Sequence, residues 1–216
     1  MPTLLGIEEA GRGPVIGPMV MAGVLIEESD SEKLKAIGAK DSKMLSAKQR
    51  EELFKKIVKI AKSYKLIIIP PSEIDAALES RELNLNWLEA HKSAEITNEF
   101  KPDKVIIDSP SNNVKSYKKY LLNLLEWKNC EIAVEHKAEK YPVVAAASIL
   151  AKVTRDKEIE KIKVKYGNCG PGYPSNEITQ RFLKENWNKY PEIFRHSWES
   201  YKRVVRAKNQ KSLEEF

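Results

Sequence analysis

The sequence predicts an α/β fold built around a mixed sheet. Two apolar strand-like segments flank a Gly/Pro-rich turn, as in a hairpin, and helical segments then alternate with further short strands. Short helices fill the chain after its last long helix. We therefore expect a mixed central sheet flanked by helices and followed by a small C-terminal helical extension.

The strands are predicted from short apolar runs that end at turn residues. Residues 4–8 form the first, and residues 11–18 form the turn. Residues 19–26 are apolar on nearly every side, which is typical of a central strand. The three remaining strands are expected at residues 65–69, 105–108 and 131–135.

The helices are predicted from capping and from apolar spacing. The stretch Ser46-Ala47-Lys48-Gln49 matches a capping box and begins a helix whose apolar residues continue at helical spacing to Ala61. Further helices are expected at residues 84–100, 113–125 and 142–166, the last of them Ala-rich in its first half.

The length and net charge of the chain narrow its possible functions. A chain of 216 residues suits one full domain with a short appendage. The net charge of +6 suits a polyanionic partner such as nucleic acid, although a Lys-rich surface can also serve solubility.

The longest apolar stretch, residues 15–26, is interrupted by Gly and Pro and is too short to span a bilayer, so we expect no membrane association. Cys130 and Cys169 lack metal-ligand spacing, and reduced thiols in a cytoplasmic protein are the simplest interpretation. The three histidines share no ligand spacing, which argues against zinc: His91, His136 and His196.

Acidic side chains at strand ends are the candidate catalytic groups. Glu8 and Glu9 close the first strand, Asp108 closes a buried one, and Glu139 follows. Gathered together, they would form an all-oxygen site for Mg²⁺ or Mn²⁺, and two such ions can hold the attacking and leaving oxygens of a phosphodiester. Alternatively, the glutamates face water and Asp108 caps a turn.

Neighbouring residues of a regular strand point to opposite faces, so Glu8 and Glu9 would diverge. The glycine-rich turn that follows could let both reach one site.

Three further features could bind a substrate. The Gly11-Arg12-Gly13 turn offers unhindered backbone and a guanidinium to a phosphate or a ribose 2′-hydroxyl. Lys43 precedes a helix and could bind a phosphate or lie in a solvated turn. Tyr173 could stack on a sugar or base, or pack in the core.

Taken together and in order, six stretches resemble the ribonuclease HII family, the type 2 ribonucleases H, in an archaeal-like form. They are GIEEAGRG at 6–13, DSK at 41–43, VIIDS at 105–109, HKAE at 136–139, AAASILAKVTRD at 145–156 and GYPS at 172–175. The resemblance implies an RNase H-like fold.

The implied activity is an endonuclease of replication and repair. It would hydrolyse the RNA strand of RNA–DNA hybrids and nick 5′ of single ribonucleotides embedded in duplex DNA. Catalysis by two metal ions, Mg²⁺ or Mn²⁺, would leave 5′-phosphate and 3′-hydroxyl ends. We expect a monomer.

The resemblance also implies residue roles. Glu8, Glu9 and Asp108 would hold metal, and Glu139 would be the fourth catalytic acid. The substrate-binding residues would be Gly11, Arg12 and Gly13 at the 2′-hydroxyl, Lys43 at a phosphate, and Tyr173 on the deoxyribose of the RNA–DNA junction.

Two positions depart from the family, which usually has Asp where this chain has Glu8 and Glu139. Each extra C–C bond adds about 1.5 Å of reach. The alternative function is therefore a hybrid-binding protein with weak or no cleavage. Asp156 is the reserve candidate for the fourth acid. A generic basic RNA-binding protein is a third possibility, but it leaves the buried acids unexplained.

The last seven residues, QKSLEEF, resemble the motif that docks replication and repair enzymes on a sliding clamp. Gln210, Leu213 and Phe216 would be its contacts, and a frayed polar terminus is the alternative. We thus divide the chain into a catalytic domain (1–190), a helical extension (191–209) and a tail (210–216).

Overall fold

The computed structural model describes residues 1–39 and 45–214, with side chains described as far as residue 210. Its sheet has the order β3-β2-β1-β4-β5. Strand β1 pairs antiparallel with β2 and parallel with β4, so the sheet is mixed, as predicted. The strands are β1 (Thr3–Ala10), β2 (Met19–Glu27), β3 (Ser63–Ile69), β4 (Lys104–Asp108) and β5 (Glu131–Glu135).

Helices cover both faces of the sheet and form the C-terminal part. In chain order they are α1 (Ser31–Ala36), α2 (Ala47–Ile60), α3 (Pro71–Glu79), α4 (Leu85–Phe100), α5 (Val114–Leu124), α6 (Pro142–Tyr166), α7 (Glu177–Asn186) and α8 (Glu199–Glu214). Short 3₁₀ turns lie at Glu28–Asp30, Ala138–Lys140 and Pro191–Ile193.

Alternating residues of β1 build two cores. Leu4 faces α6, together with residues such as Val20 and Ile106. Leu5 and Ile7 face α4 and α5. Because strand side chains alternate between faces, Glu8 lies on the face of β1 that packs against α6, and Glu9 lies on the opposite face.

The Ala-rich start of α6 lets this helix lie close to the sheet. Ala145, Ala146 and Ala147 are all buried against β1 and β2. Small side chains allow a short distance between helix and strands, and the buried half of α6 brings its N-terminal end beside the ends of β1 and β4.

A third core joins the turn after β1 to the C-terminal helices. Val15 and Ile16 pack with Phe182 and Phe194, and Ile16 makes an isolated antiparallel bridge to Phe194. The expected C-terminal extension therefore supports the turn that carries Gly11, Arg12 and Gly13.

Helices α1, α3 and α8 differ from the sequence-based expectations. No helix was predicted at α1 or at α3, and α3 begins at Pro71, directly after β3. Proline is tolerated in the first helical turn, where its missing N–H needs no partner. Helix α8 continues to Glu214, so it crosses the expected boundary between extension and tail.

None of the helices in the described part of the chain is both long and apolar enough to cross a membrane.

The capping box at the start of α2 is present, as predicted. The Ser46 side chain accepts a hydrogen bond from the Gln49 N–H, and the Gln49 side-chain Oε1 accepts one from the Ser46 N–H. We expect Ser46→Ala to lower the free energy of unfolding by about 1 kcal/mol, because an N–H of the first turn loses its partner. Denaturant unfolding measures this change.

The matched control is Ser72→Ala in α3. Ser72 is exposed, and the N-cap of that helix is Pro70. Stability should stay the same or rise slightly, since alanine favours helix. Equal losses in the two variants would contradict a capping role for Ser46.

Candidate active site

An open pocket of about 530 Å³ lies where β1 and β4 end. It is lined by acidic and polar side chains from the strand ends and from the segment that precedes α6. These are Glu8, Glu9, Asp108, Asn112, His136, Lys137 and Glu139. The pocket therefore contains all four carboxylates that were singled out in the sequence.

The sheet register places Glu8 beside Asp108. Ile7 pairs with Ile107, so Glu8 and Asp108 are the next residues along two adjacent parallel strands. Leu4 and Ile106, which lie an even number of residues before them, face α6, so Glu8 and Asp108 lie on the same face of the sheet. Glu139 reaches the same side from the 3₁₀ turn Ala138–Lys140, just before that helix.

Glu9 reaches the pocket from the other face of the sheet. The chain stays in regular pairing through this region, with Glu8 opposite Ala22 and Glu9 opposite Met21. The glycine-rich turn is thus not what brings the two glutamates together. Strand β4 ends at Asp108, so the last residues of β1 have no neighbouring strand on that side. The side chains of Glu8 and Glu9 can therefore both line the pocket there.

Hydrogen bonds fix the two acids that lie outside β1. The backbone N–H of Ala138 donates to Asp108 Oδ1 at 2.5 Å. The Ser148 hydroxyl, on α6, donates to Glu139 Oε1 at 3.3 Å. Strand β4, the 3₁₀ turn and α6 are therefore tied together around the pocket.

The carboxylates repel one another strongly. Burial raises the pKa of Glu8 well above its ordinary value, and the charges of Glu9, Asp108 and Glu139 raise it further. Burial also raises the pKa of Glu9, against the opposing effect of Arg12. Ionised carboxylates in this setting need a compensating positive charge.

The donor set fits a divalent cation. Glu8 is only 7% exposed, and its Oε2 has no hydrogen-bond partner among the described residues. Hard cations take such carboxylate oxygens. In the described ranges, no three His, Cys, Asp or Glu side chains are grouped closely enough in their present positions to hold one metal ion.

The Arg12 guanidinium turns into the protein. It donates to Glu89 Oε1 and, at 2.7 Å, to Asn86 Oδ1, both on α4. Glu89 is 1% exposed, and burial and the charge of Glu9 raise its pKa while Arg12 lowers it. Arg12 thus links the turn to a buried acid that lies behind the pocket.

Tyr173 lies next to the same turn. A Cβ placed on Gly13 would be 3.8 Å from Tyr173 Cε1, and Tyr173 is 37% exposed. The two segments expected to read a sugar therefore form one continuous surface.

Asp156 lies in a cluster of cations outside the pocket lining. Its carboxylate is 3.4 Å from Arg50, 3.5 Å from Lys152 and 3.7 Å from Arg155. Of the two candidates for the fourth acid, Glu139 is the one in the pocket.

The structure describes only some of the remaining predicted residues. Lys43 and Phe216 lie outside the described residues, as does the side chain of Leu213. Gln210 is exposed on α8.

Sequence reasoning missed four residues around the site: Asn112, Glu89, Arg155 and Arg195. A signal existed for Glu89, which falls within the buried stripe of α4 beside Leu88 and Ser93. Arg195 follows the apolar Ile193 and Phe194, and Arg155 lies between Thr154 and Asp156, but neither local sequence distinguishes a buried arginine from an exposed one.

Comparisons with known proteins agree with this geometry. The family model described as Ribonuclease HII matches residues 5–201. Ribonuclease HII of Thermococcus sibiricus is 45% identical over 98% of this chain and 96% of its own length.

Two solved structures are also similar. Ribonuclease H2 from Pyrococcus horikoshii OT3 has a TM-score of 0.87 at 41% identity, covering 95% of this chain and 98% of that one. The chain in the PCNA:RNase HII complex from Archaeoglobus fulgidus has a TM-score of 0.81 at 39% identity, covering 91% and 95%.

The fold and its acidic pocket define a metal-dependent nuclease of the RNase H-like α/β class. The chain belongs to the ribonuclease HII family, endonucleases that hydrolyse the RNA of RNA–DNA hybrids. The expected fold class, family and activity are confirmed, and the relatives are archaeal, as the resemblance indicated.

The charge repulsion in the pocket predicts a stability change. We expect Glu8→Gln to raise the free energy of unfolding in EDTA at pH 8, because the neutral amide removes the cost of burying a charged carboxylate beside other carboxylates. A raised pKa in the folded state means that wild-type stability falls as pH rises above the ordinary Glu value. The advantage of the variant should therefore vanish near pH 4.

Glu135→Gln is the matched control. Hydrogen bonds from Lys140 and Tyr141 lower the pKa of Glu135, so its ionised form is favoured in the folded protein. This variant should be slightly less stable than wild type at pH 8. The same pH-independent difference for both variants would contradict the charge argument.

Proposed function

We propose that this protein cleaves the RNA strand of RNA–DNA hybrids and nicks 5′ of single ribonucleotides in duplex DNA with Glu8, Glu9, Asp108 and Glu139 as its catalytic acids. One observation carries the assignment: these four side chains line a single pocket at the ends of β1 and β4. The products would carry 5′-phosphate and 3′-hydroxyl ends, as is general for the family.

Glu8, Glu9 and Asp108 would hold two divalent cations, Mg²⁺ or Mn²⁺. The buried Glu8 and the repulsion from its neighbours support this role, because bound cations remove the cost of ionising the cluster. When bound, the ions supply charge stabilisation at a scissile phosphate.

Glu139 would position the attacking water or protonate the leaving oxygen. Its attachment to Ser148 and its place on the 3₁₀ turn leave it at the pocket wall, across from the β1 acids. The chemistry then depends mainly on alignment of the phosphate and on charge stabilisation.

Glutamate at positions 8 and 139 is compatible with this role. Glu8 comes from a strand and Glu139 from a turn, yet both line the pocket. The added reach of each glutamate is about 1.5 Å, and a small recession of its backbone can absorb that difference. We therefore favour an active nuclease over a protein that only binds hybrids.

The surface beside the pocket would read the sugar. The Gly11-Arg12-Gly13 turn would sense the ribose 2′-hydroxyl through its backbone, since the Arg12 side chain is bound to Glu89 and Asn86. Tyr173 would pack on the neighbouring deoxyribose, which its exposed ring and its position next to Gly13 support. Lys43 would contact a phosphate, and the net charge of +6 favours such a polyanionic partner.

The C-terminal motif would dock the enzyme on a sliding clamp. Gln210 and Leu213 lie in the last turns of α8, which ends at Glu214, and Phe216 is the second residue after it in the sequence. The similar Archaeoglobus fulgidus chain was solved as a complex with PCNA, and a short turn presenting two apolar side chains fits a hydrophobic pocket.

We also propose a cytoplasmic location, which the free thiols Cys130 and Cys169 suit.

Asp108→Asn tests the catalytic assignment. We expect turnover to fall by at least about 100-fold, because the transition-state charge loses a preorganised partner. Binding of an RNA–DNA hybrid in EDTA should change less than about twofold, since phosphate contacts dominate affinity. Cleavage is measured side by side on a hybrid and on a duplex with one ribonucleotide, with Mg²⁺ and Mn²⁺.

Asp156→Asn is the matched control, because this acid pairs with cations outside the pocket. It should keep well over a tenth of the wild-type activity. Undiminished turnover of Asp108→Asn, or equal losses in both variants, would remove the pocket from the mechanism.

Phe216→Ala tests the docking motif. Truncation of a buried aromatic anchor should weaken binding to a sliding clamp by at least about tenfold, measured by calorimetry, while cleavage of a free oligonucleotide duplex stays unchanged. Ser212→Ala, between the motif positions, is the control and should bind as wild type. Unaltered clamp affinity for Phe216→Ala would exclude the motif.

A further inference from the structure

Arg155 is a buried arginine between the two segments assigned to the sugar. It lies on α6 and is 2% exposed. Its Nη2 donates to the carbonyl oxygen of Pro171 at 2.6 Å, and its guanidinium carbon is 5.3 Å from the centroid of the Tyr173 ring. It therefore holds the Tyr173 loop by the backbone and by the aromatic face together.

Two glycines leave the space that Arg155 occupies. Gly11 has φ +85°, and a Cβ there would be 3.1 Å from Arg155 Cγ. Gly172 also has φ +85°, and its Cβ would be 3.1 Å from Arg155 Nη2. One glycine belongs to each sugar-reading segment, so the arginine passes between both.

Backbone hydrogen bonds join the same two segments directly. The N–H groups of Val15 and Ile16 donate to the Gly172 carbonyl at 2.8 and 3.3 Å. Movement of one segment therefore displaces the other.

A second buried arginine holds the far side of the first segment. Arg195 donates to the carbonyls of Gly11 at 2.7 Å, Arg12 at 2.9 Å and Gly17 at 3.1 Å, and Trp198 donates to the carbonyl of Gly13 at 3.1 Å. With its carbonyls bound, the turn rests on a rigid support, and Arg155 is the side chain that joins this turn to Tyr173.

We infer that Arg155 is a positioning residue that sets the Tyr173 ring against the Gly11–Gly13 turn and so governs recognition of the RNA–DNA junction. The inference rests on the proposed sugar-reading role of these segments. Burying a guanidinium is costly, and burial does lower the pKa of Arg155. The contacts with Pro171 and Tyr173 offset part of that cost only with the loop in its present place, whereas the pair with Asp156 lies on α6 itself.

Hydrogen exchange of the free enzyme tests the positioning itself. Arg155→Gln should increase amide exchange in residues 169–175 and, through the Gly172 contacts, in residues 11–17. Arg50→Gln is the matched control: Arg50 also pairs with Asp156 but contacts the Leu45 carbonyl rather than the Tyr173 loop. Unchanged exchange in residues 169–175 of Arg155→Gln would overturn the inference.

A double-mutant cycle tests the consequence for recognition. On a duplex with one ribonucleotide, Arg155→Gln should lower kcat/KM about tenfold, as expected for a contact displaced by part of an ångström. Combined with Tyr173→Ala, the same substitution should cost less than about twofold, because coupled residues are not additive. Cleavage within a continuous hybrid, which offers no junction at the site, should fall less.

The controls separate this inference from the proposed function. Arg50→Gln should show no coupling to Tyr173, and Arg155→Lys, which keeps the charge, should recover part of the loss. If Arg155→Gln fails to fold, the cycle is run with Arg155→Lys. If Arg155→Gln lowers kcat/KM by the same factor in the wild type and in Tyr173→Ala, the inference is overturned. A Tyr173→Ala variant with full activity would instead refute the role of Tyr173, and hydrogen exchange would then decide the role of Arg155.

Discussion

The repulsion among four carboxylates is the constraint on which the rest of this structure depends. Two parallel strands end side by side, and the acids at their ends share one opening with Glu139. Such a cluster opposes folding, and the burial of Glu8 makes the opposition larger. The fold tolerates it because a wide apolar core on both faces of β1 supplies the stability, and cations and substrate phosphate complete the charge balance in use.

The Arg12 guanidinium offsets only part of this repulsion. Arg12 is partly buried and donates to Glu89, and its charge lowers the pKa of Glu9 without cancelling the effect of burial. Glu89 thus engages a guanidinium that would otherwise be free to pair with the catalytic acids. The same contact engages the Arg12 side chain, so the proposed reading of a sugar would depend on the backbone of the turn.

The sequence predicted the strands, the long helices and the acidic cluster because each depends on local pattern. Strand ends with an acid after an apolar run, as at Asp108, are visible without any tertiary knowledge. What could not be predicted depends on distant contacts. The opening beside the end of β1 depends on where β4 stops pairing with it, which is a property of the sheet register. The burial of Arg195 depends on the carbonyls of residues 11, 12 and 17, which are far away in the chain.

The helical extension therefore supports the turn that we propose to read the sugar. Arg195 and Trp198 bind the carbonyls of the turn after β1, and Phe194 packs with Ile16 from the same turn. A sheet with its acids in place but without residues 191–201 would keep the charge cluster and lose the contacts that support this turn. Under the proposed function, cleavage and substrate choice thus depend on different parts of one chain, and Arg155 and Arg195 hold the part that we propose to read the sugar.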